Sequence, residues 1–238
     1  MIQIIPSDRR HHDQTDWLST YWHFSFSDYY DPANLNWGPL RVFNDDVIQP
    51  EQGFGMHPHR DMEIISYVLE GRLQHQDHLG NRGIVHAGEV QVMSAGKGIM
   101  HAEKNPSADT PVHLLQIWIM PRKKSSPPRW EQRKFNKDQR RGKLLPVVSS
   151  GETPDTLTID QDATIYISSL PAGHSIQQPM TARRRGYLFL IGGRIQLNGL
   201  SLHPGDQARI ADETQLEIHS ESDAELIFLD LPYEPTST

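Results

Sequence analysis

Four side chains that can bind a metal ion occur as two spaced pairs in the first half of the chain. One proline separates His57 from His59, and one alanine separates His101 from Glu103. Alternate side chains of a β-strand point to the same face, so each pair presents two donors together. On a helix the members of a pair would lie about 200° apart. The spacing predicts strands that carry three imidazoles and one carboxylate.

The two pairs together predict a metal site. Imidazoles on an inward face are costly to bury unless a charged or polar partner accepts them, and a metal ion does so. If the pairs meet across a small barrel, the donor set suits Fe, Mn, Ni, Co, Cu or Zn. Glu63, four residues after His59, is a rival carboxylate that strand parity also points inward. It would replace Glu103 as a ligand or hydrogen-bond a ligand histidine.

The segments that must position these residues have the composition of β-strands. Runs such as "EIISYVLEGRLQ", "VHLLQIWIM" and "YLFLIGGRIQL" are rich in β-branched and aromatic residues, and Gly, Pro, Asn or Asp bounds them. A chain of 238 residues can form one large β domain or two small ones. We predict an all-β protein.

The two halves of the chain resemble each other. "VLEGRLQ" at 68–74 matches "LIGGRIQ" at 190–196, and "HAGE" at 86–89 matches "HPGD" at 203–206. This duplication predicts two β-barrels or sandwiches packed together in one chain. The predicted parts are an N-terminal domain with the metal site (1–121), a basic linker region (122–150) and a C-terminal domain (151–238).

The second copy lacks the ligand set. The offsets of 122 and 117 residues between the matching stretches put Pro179, Thr181, Ile218 and Ser220 at the four ligand positions. We therefore expect the C-terminal domain to be free of metal and to serve in packing and in shaping access to the first site. Several further histidines are expected at the surface: His75, His78, His86, His174 and His219.

Two other polar or aromatic stretches have structural interpretations. The aromatic segment 20–32 is expected to pack against the first barrel, with pocket lining as the alternative. Asp45 and Asp46 are expected in a capping turn, with hydrogen bonding to the site as the alternative.

Composition excludes several functions. The chain has no cysteine, which excludes disulfides, thiolate catalysis and cysteine zinc sites. Its net charge of −7 argues against binding nucleic acid, although residues 122–143 carry +8 as a solvated linker or a docking surface for an anionic partner. Apolar runs fall short of the ~18–20 residues that span a membrane. With no signal-peptide pattern at the N-terminus, we expect a cytoplasmic monomer.

The two histidine motifs resemble those of the cupin superfamily. The first motif fits through His57, His59 and Glu63, with Gly71 one position late. In the second motif His101 and Asn105 fit, Ser94 replaces the usual proline, and two extra residues precede the histidine.

Those departures resemble the pirin family of bicupins, and the resemblance covers nearly the whole chain. It is carried by the stretches "FGMHPHRDMEIISYVLEG", "VMSAGKGIMHAE", "TYWHFSFSDYYDP" and "RVFNDDVI". The similarity is to bacterial pirins described as quercetin 2,3-dioxygenases. The resemblance implies two cupin barrels with one metal ion in the N-terminal barrel. It assigns His57, His59, His101 and Glu103 as ligands, and so favours Glu103 over Glu63.

The resemblance also implies a function. We expect a dioxygenase that opens the heterocycle of a flavonol-like substrate with O2 and releases CO, with Glu103 as the catalytic base. Fe(II) is the expected ion, with Ni, Co, Mn, Cu or Zn as alternatives. The alternative function is a redox-sensitive regulator that binds a transcription factor or a metabolic enzyme through its metal-bound form.

Overall fold

The computed structural model describes residues 1–181 and 183–233, and β-strands dominate it. The strands of the first half are β1 (Ile2–Ile5), β2 (His11–Gln14), β3 (Leu18–Trp22), β4 (Leu40–Ile48), β5 (Gly53–His59), β6 (Glu63–Glu70), β7 (Arg72–Asp77), β8 (Arg82–His86), β9 (Glu89–Ser94), β10 (Ile99–Lys104) and β11 (Val112–Ile119). The strands of the second half are β12 (Arg129–Lys134), β13 (Leu145–Ser149), β14 (Leu157–Thr158), β15 (Thr164–Leu170), β16 (Ser175–Pro179), β17 (Arg184–Gly192), β18 (Ile195–Leu197), β19 (Leu200–Leu202), β20 (Gln207–Ala211), β21 (Gln215–Ser220) and β22 (Ala224–Pro232). Helical structure is limited to α1 (Lys137–Arg140) and a 3-10 turn (Ser7–Arg9) among these residues.

The strands form two compact units. The first, here called the N-terminal barrel, consists of 11–135 and 157–161. Its seven-stranded sheet has the order β12-β9-β6-β11-β4-β3-β2, and its four-stranded sheet has the order β5-β10-β7-β8. Apolar side chains on the inner faces form separate clusters, one around Val68 and Leu114 and another around Ile64 and Met93.

The second unit, here called the C-terminal barrel, consists of 1–10, 136–156 and most of the chain from residue 162 onward. Its sheets have the orders β1-β20-β17-β22-β15-β13-β14 and β16-β21-β18-β19. Its interior is filled by one large apolar cluster that includes Leu188, Ile195, Ile218 and Phe228. Aliphatic and aromatic side chains at every second strand position produce this filling.

The strand orders confirm the predicted duplication. Each unit joins a seven-stranded and a four-stranded sheet, and corresponding strands occupy corresponding places in both. The repeated "EGR" and "GGR" turns have a common cause. Gly71 and Gly193 both have positive φ angles, 75° and 82°, and an added Cβ would lie 2.5 Å and 2.2 Å from backbone carbonyl oxygens. Only glycine fits such a turn.

The predicted boundaries at residues 121 and 150 stay a prediction. Within the region predicted as a linker, β12 pairs with β9 and β13 pairs with β15. At the other end of the chain, β1 pairs with β20. Residues 234–238 of the predicted C-terminal domain lie outside the described residues. In the part of the chain that is described, no helix has the length and apolarity needed to span a membrane.

Candidate metal centre

Strands β5 and β10 bring the histidine motifs together. They pair antiparallel, and His57 lies directly opposite His101. His57 and His59 share a face of β5 because alternate side chains of a strand point the same way. The motifs therefore meet on neighbouring strands, rather than across the barrel as the spacing argument supposed.

The three imidazoles form a tight group. Their ring centroids are 4.8 Å apart for His57 and His59, 4.5 Å for His57 and His101, and 4.9 Å for His59 and His101. Nitrogen atoms of the three rings lie within 4.8 Å of one another. His101 is buried, and its Nε2 atom has no hydrogen-bond partner among the described residues. A buried polar atom without a partner is costly, so this nitrogen is suited to receive a ligand.

Burial and mutual proximity keep the rings of His59 and His101 neutral. Burial, reinforced by the neighbouring imidazoles, lowers the pKa of His101 to about 3 and the pKa of His59 to about 4. Neutral imidazole is the form that donates a lone pair to a metal ion.

Glu103 lies next to His101 on the same face of β10, but in a second group. Its carboxylate, a nitrogen of His101 and a nitrogen of His75 lie within 4.8 Å of one another. Glu103 Oε1 accepts hydrogen bonds from Gln91 Nε2 at 2.5 Å and Ser66 Oγ at 3.1 Å. Glu103 Oε2 accepts one from Gln116 Nε2 at 2.7 Å. The four predicted residues are thus close, with His101 shared by both groups.

Glu63 does not reach either group of potential ligands in the described residues. It is buried, it accepts a hydrogen bond from Ser94 Oγ at 2.6 Å, and burial raises its pKa. Glu63 does point inward, as strand parity indicated, but β5 ends at His59 and β6 starts a different sheet at Glu63, so its carboxyl group lies away from the histidines. Alternation of side chains does not carry through the intervening turn.

His75 was predicted to face solvent, and this prediction was wrong. Its side chain is fully buried and stacks on Trp130 with ring centroids 5.0 Å apart. The alternation within β7 contained the signal, because Leu73, His75 and Asp77 share the buried face of that strand. The predictions for His78, His86 and His174 are confirmed, since all three are exposed, and the partly buried His219 hydrogen-bonds Ser175.

A cavity of about 300 Å³ opens onto the three histidines. Its apolar wall consists of Leu18, Trp22, Phe26, Phe54, Ile64 and Trp118. Its polar lining, besides the histidines and Glu103, consists of Asp13, Thr20, Ser27, Asn44, Asp46 and Gln116. The aromatic segment 20–32 therefore lines the pocket. A mostly apolar cavity with a few polar groups is typical of small-molecule sites.

Asp46 was expected in a turn, but it lies on β4 in the cavity wall. The hydroxyl of Thr20 donates a hydrogen bond to its carboxyl group. Burial raises the pKa of Asp46 to about 7, with Asp45 and Glu103 adding to the rise and Thr20 opposing it. Asp45, on the opposite face of β4, pairs with His113 at 2.6 Å.

Comparisons with known proteins agree with this architecture. The family profile described as Pirin matches residues 6–119, and the profile described as the quercetinase C-terminal cupin domain matches residues 146–231. Over 232 residues, 98% of this chain and 99% of the relative, the sequence is 44% identical to the quercetin 2,3-dioxygenase of Escherichia coli strain K12. It is also 44% identical to a pirin-like protein of Caulobacter vibrioides over 97% of this chain and 99% of that relative.

Solved structures extend the similarity to three dimensions. The crystal structure of YhhW from Escherichia coli superposes with a TM-score of 0.95 at 42% identity and covers 99% of both chains. A structure of bacterial pirin YhhW in complex with nickel(II) superposes with a TM-score of 0.93 at 42% identity, covering 98% of this chain and 99% of that one. Two cupin-type barrels in one chain define a bicupin, and here one barrel carries the cluster of three histidines. This chain belongs to the pirin family of bicupins, as its sequence predicted.

Proposed function

We propose that the protein is a metal-dependent dioxygenase of the quercetin 2,3-dioxygenase type. In this proposal His57, His59, His101 and Glu103 hold one divalent ion at the base of the cavity. The observation that carries the proposal is the buried Nε2 atom of His101, which lacks a partner in the described structure while two further imidazoles lie beside it.

The donor set fits such an ion. Three imidazoles and a carboxylate suit Fe(II), Ni(II) and other first-row divalent ions. Fe(II) is the ion that we expect, and the nickel(II) complex of the related YhhW supports Ni(II) as an alternative. When bound, the ion supplies Lewis acidity toward the 3-hydroxyl oxygen of a flavonol.

The residues of the chain position the substrate and move its proton. The apolar wall, with Trp22, Phe26 and Trp118, takes the aromatic rings and excludes water. Within the described residues Glu103 Oε2 accepts a hydrogen bond only from Gln116, so one lone pair of this oxygen is left to bind the ion or to accept the substrate hydroxyl proton, one at a time. One O2 is consumed, the heterocycle opens, and one CO is released.

The test is turnover of quercetin by protein that has been stripped of metal and reloaded with a single ion. Quercetin loss and CO release would be followed under O2 for Fe(II), Ni(II), Co(II), Mn(II) and Cu(II). We expect metal-dependent turnover that His101→Ala abolishes, because one of three imidazole donors is lost. His86→Ala, at an exposed histidine of β8, is the matched control and should retain full activity.

Two results would contradict the proposal. Stoichiometric binding of every ion without quercetin loss would exclude flavonol dioxygenase activity and favour the regulatory alternative. Equal turnover by His101→Ala and the unsubstituted protein would show that the reaction occurs elsewhere.

A further inference from the structure

His75 is a buried histidine for which the proposed reaction has no use. Its ring is 5.3 Å from the ring of His101, centroid to centroid. On its other side it stacks on Trp130, whose indole N–H donates a hydrogen bond to Gln91. A fully buried imidazole requires polar partners for its two nitrogens.

Both nitrogens of His75 face a polar atom. His75 Nε2 lies 3.5 Å from Asp77 Oδ2, and His75 Nδ1 lies 3.4 Å from His101 Nδ1. Both separations are at the long end of the hydrogen-bond range. The contacts form a chain from Asp77 through His75 to His101, and the chain ends at His101 Nε2, which has no partner among the residues described.

The chain has one consistent direction of proton donation. Asp77 already accepts three hydrogen bonds, from the backbone N–H groups of Leu79 and Asn81 at 2.9 Å and 3.0 Å and from the Asn81 side chain at 2.8 Å. Because the Asp77 carboxylate can only accept a hydrogen bond, the proton of His75 must be on Nε2. His75 Nδ1 then has a lone pair, which accepts a hydrogen bond from His101 Nδ1.

We propose that His75 and Asp77 are positioning residues that fix the tautomer and orientation of His101. The proton of His101 is held on Nδ1, so its lone pair is on Nε2, where the ion of the proposed function would bind; the inference rests on that function. A carboxylate behind a ligand histidine also raises the basicity of the ligand. The carboxylate here acts through an intervening imidazole.

The competing assignment makes His75 itself a ligand, because His75, His101 and Glu103 form the second group of close donors. The contact between the two Nδ1 atoms argues against it. Each ring nitrogen has one lone pair or one proton, and the two nitrogens of a ring point in different directions. With His101 Nδ1 directed at His75, only His101 Nε2 is available to an ion.

The test compares two substitutions of His75 in the full-length protein. His75→Phe keeps an aromatic ring to stack on Trp130 but removes both nitrogens. His75→Asn loses the stack but places an amide oxygen close to the position of Nδ1, so it can still accept the proton of His101. His86→Phe, on the neighbouring strand β8, is the control for adding a phenylalanine, and Asp77→Asn tests the far end of the chain.

The readouts are the affinity for Ni(II) alone, by titration calorimetry, and the visible absorption spectrum of the Co(II)-loaded protein. We expect His75→Phe to weaken Ni(II) binding about 10- to 100-fold and to shift the Co(II) bands. His75→Asn should recover most of the affinity, and Asp77→Asn should lose less than His75→Phe. His86→Phe should match the unsubstituted protein. Thermal unfolding identifies any variant that fails to fold. If His75→Phe fails to fold, the Ni(II) affinities of His75→Asn and Asp77→Asn are compared instead.

The outcomes separate this inference from the proposed function. If the unsubstituted protein binds no divalent ion, the proposed function fails. If it binds Ni(II) but His75→Phe has the same affinity and the same Co(II) spectrum, only the positioning role is overturned. If His75→Phe and His75→Asn both lose all binding, His75 is a ligand and the positioning role is again overturned.

Discussion

The two barrels share a strand order, but their interiors differ in chemistry. In the N-terminal barrel His57 pairs with His101 across β5 and β10. In the C-terminal barrel β16 and β21 occupy the same places, and the register that follows from the matching Gly71 and Gly193 turns puts Gln178 and Leu216 at the corresponding pair. Leu216 belongs to the large apolar cluster, so the position of His101 in one barrel is part of the apolar core in the other.

Apolar side chains of the C-terminal barrel also take the places of the polar residues behind the histidines. In strand register, Leu73 and His75 correspond to Ile195 and Leu197, so the buried imidazole has an apolar counterpart in the large cluster. The three donors to Glu103 also have apolar counterparts in that cluster: Ser66 corresponds to Leu188, Gln91 to Ala208, and Gln116 to Phe228.

This difference shows what a buried site requires of its fold. An apolar interior is stable without further conditions, because each side chain gains from burial alone. A polar interior is tolerated only when its groups are connected by hydrogen bonds, as those around Glu103 are. The duplicated fold thus supplies the same strands twice, and the hydrogen-bonded network is present where the site is.

The largest effect should come from moving a histidine into the apolar barrel. Ile218→His would bury an imidazole within the cluster that contains Ile195 and Leu197. We expect a loss of about 3–4 kcal/mol in the free energy of unfolding, from lost packing and an unsatisfied polar group. Urea denaturation of the metal-free protein measures this loss.

The conservative variant Ile218→Leu is the matched control and should lose only about 1 kcal/mol, because it keeps the volume of the side chain. Equal stability of Ile218→His and Ile218→Leu would mean that the second interior accepts polar groups. The second barrel would then have an apolar interior because of its sequence, and not because its interior cannot hold polar side chains.

The sequence was sufficient for features that depend on one strand at a time. The faces of His57, His59 and His101 follow from alternation, and the duplication follows from matching turns. Alternation on β7 would also have placed His75 inside. Alternation also put Glu63 inside, but it could not show that a turn and a change of sheet separate that residue from His59.

Features that depend on pairing between strands could not be predicted in the same way. The 122-residue offset assigned Pro179 to the position of His57, but the register shows Gln178 there, opposite Leu216, because β10 has a register shift between His101 and Glu103. Loop lengths differ between the copies, so one offset does not hold along the whole chain. The hydrogen bonds to Glu103 likewise join a strand of the four-stranded sheet to strands of the seven-stranded sheet, and only the packing of the two sheets brings Gln91 and Gln116 beside it.

A second comparison concerns the charge of one cavity residue. Asp46 corresponds in register to Ser168, which donates a hydrogen bond to the carbonyl oxygen of Lys143. The pKa of Asp46 is raised to about 7 in the folded state, from 3.8. Between these values the folded protein holds a proton that the unfolded chain has released, so stability falls as pH rises from about 4 to about 7 and then levels off.

The Asp46→Asn variant should lose this part of the pH dependence. For the metal-free protein we expect the unfolding free energy to fall by about 3 kcal/mol more between pH 5 and pH 8 in the unsubstituted chain than in Asp46→Asn. Urea denaturation at both pH values provides the difference, and Asp13→Asn, at a partly buried aspartate of the cavity, is the control. Parallel pH profiles for all three proteins would show that Asp46 is ionised at neutral pH.

The smallest effect tests whether an apolar side chain can replace one polar residue in the interior of the N-terminal barrel. Gln116→Leu would remove the hydrogen bond to Glu103 Oε2 and the acceptor for Ser66 Oγ. Because a buried carboxylate oxygen loses its donor, we expect a loss of about 2 kcal/mol in unfolding free energy. Gln76→Leu, on the opposite face of β7 from His75, should change stability by less than about 0.5 kcal/mol. If Gln116→Leu were as stable as the unsubstituted protein, an apolar interior would suit both barrels equally, and the glutamine would be present for the site alone.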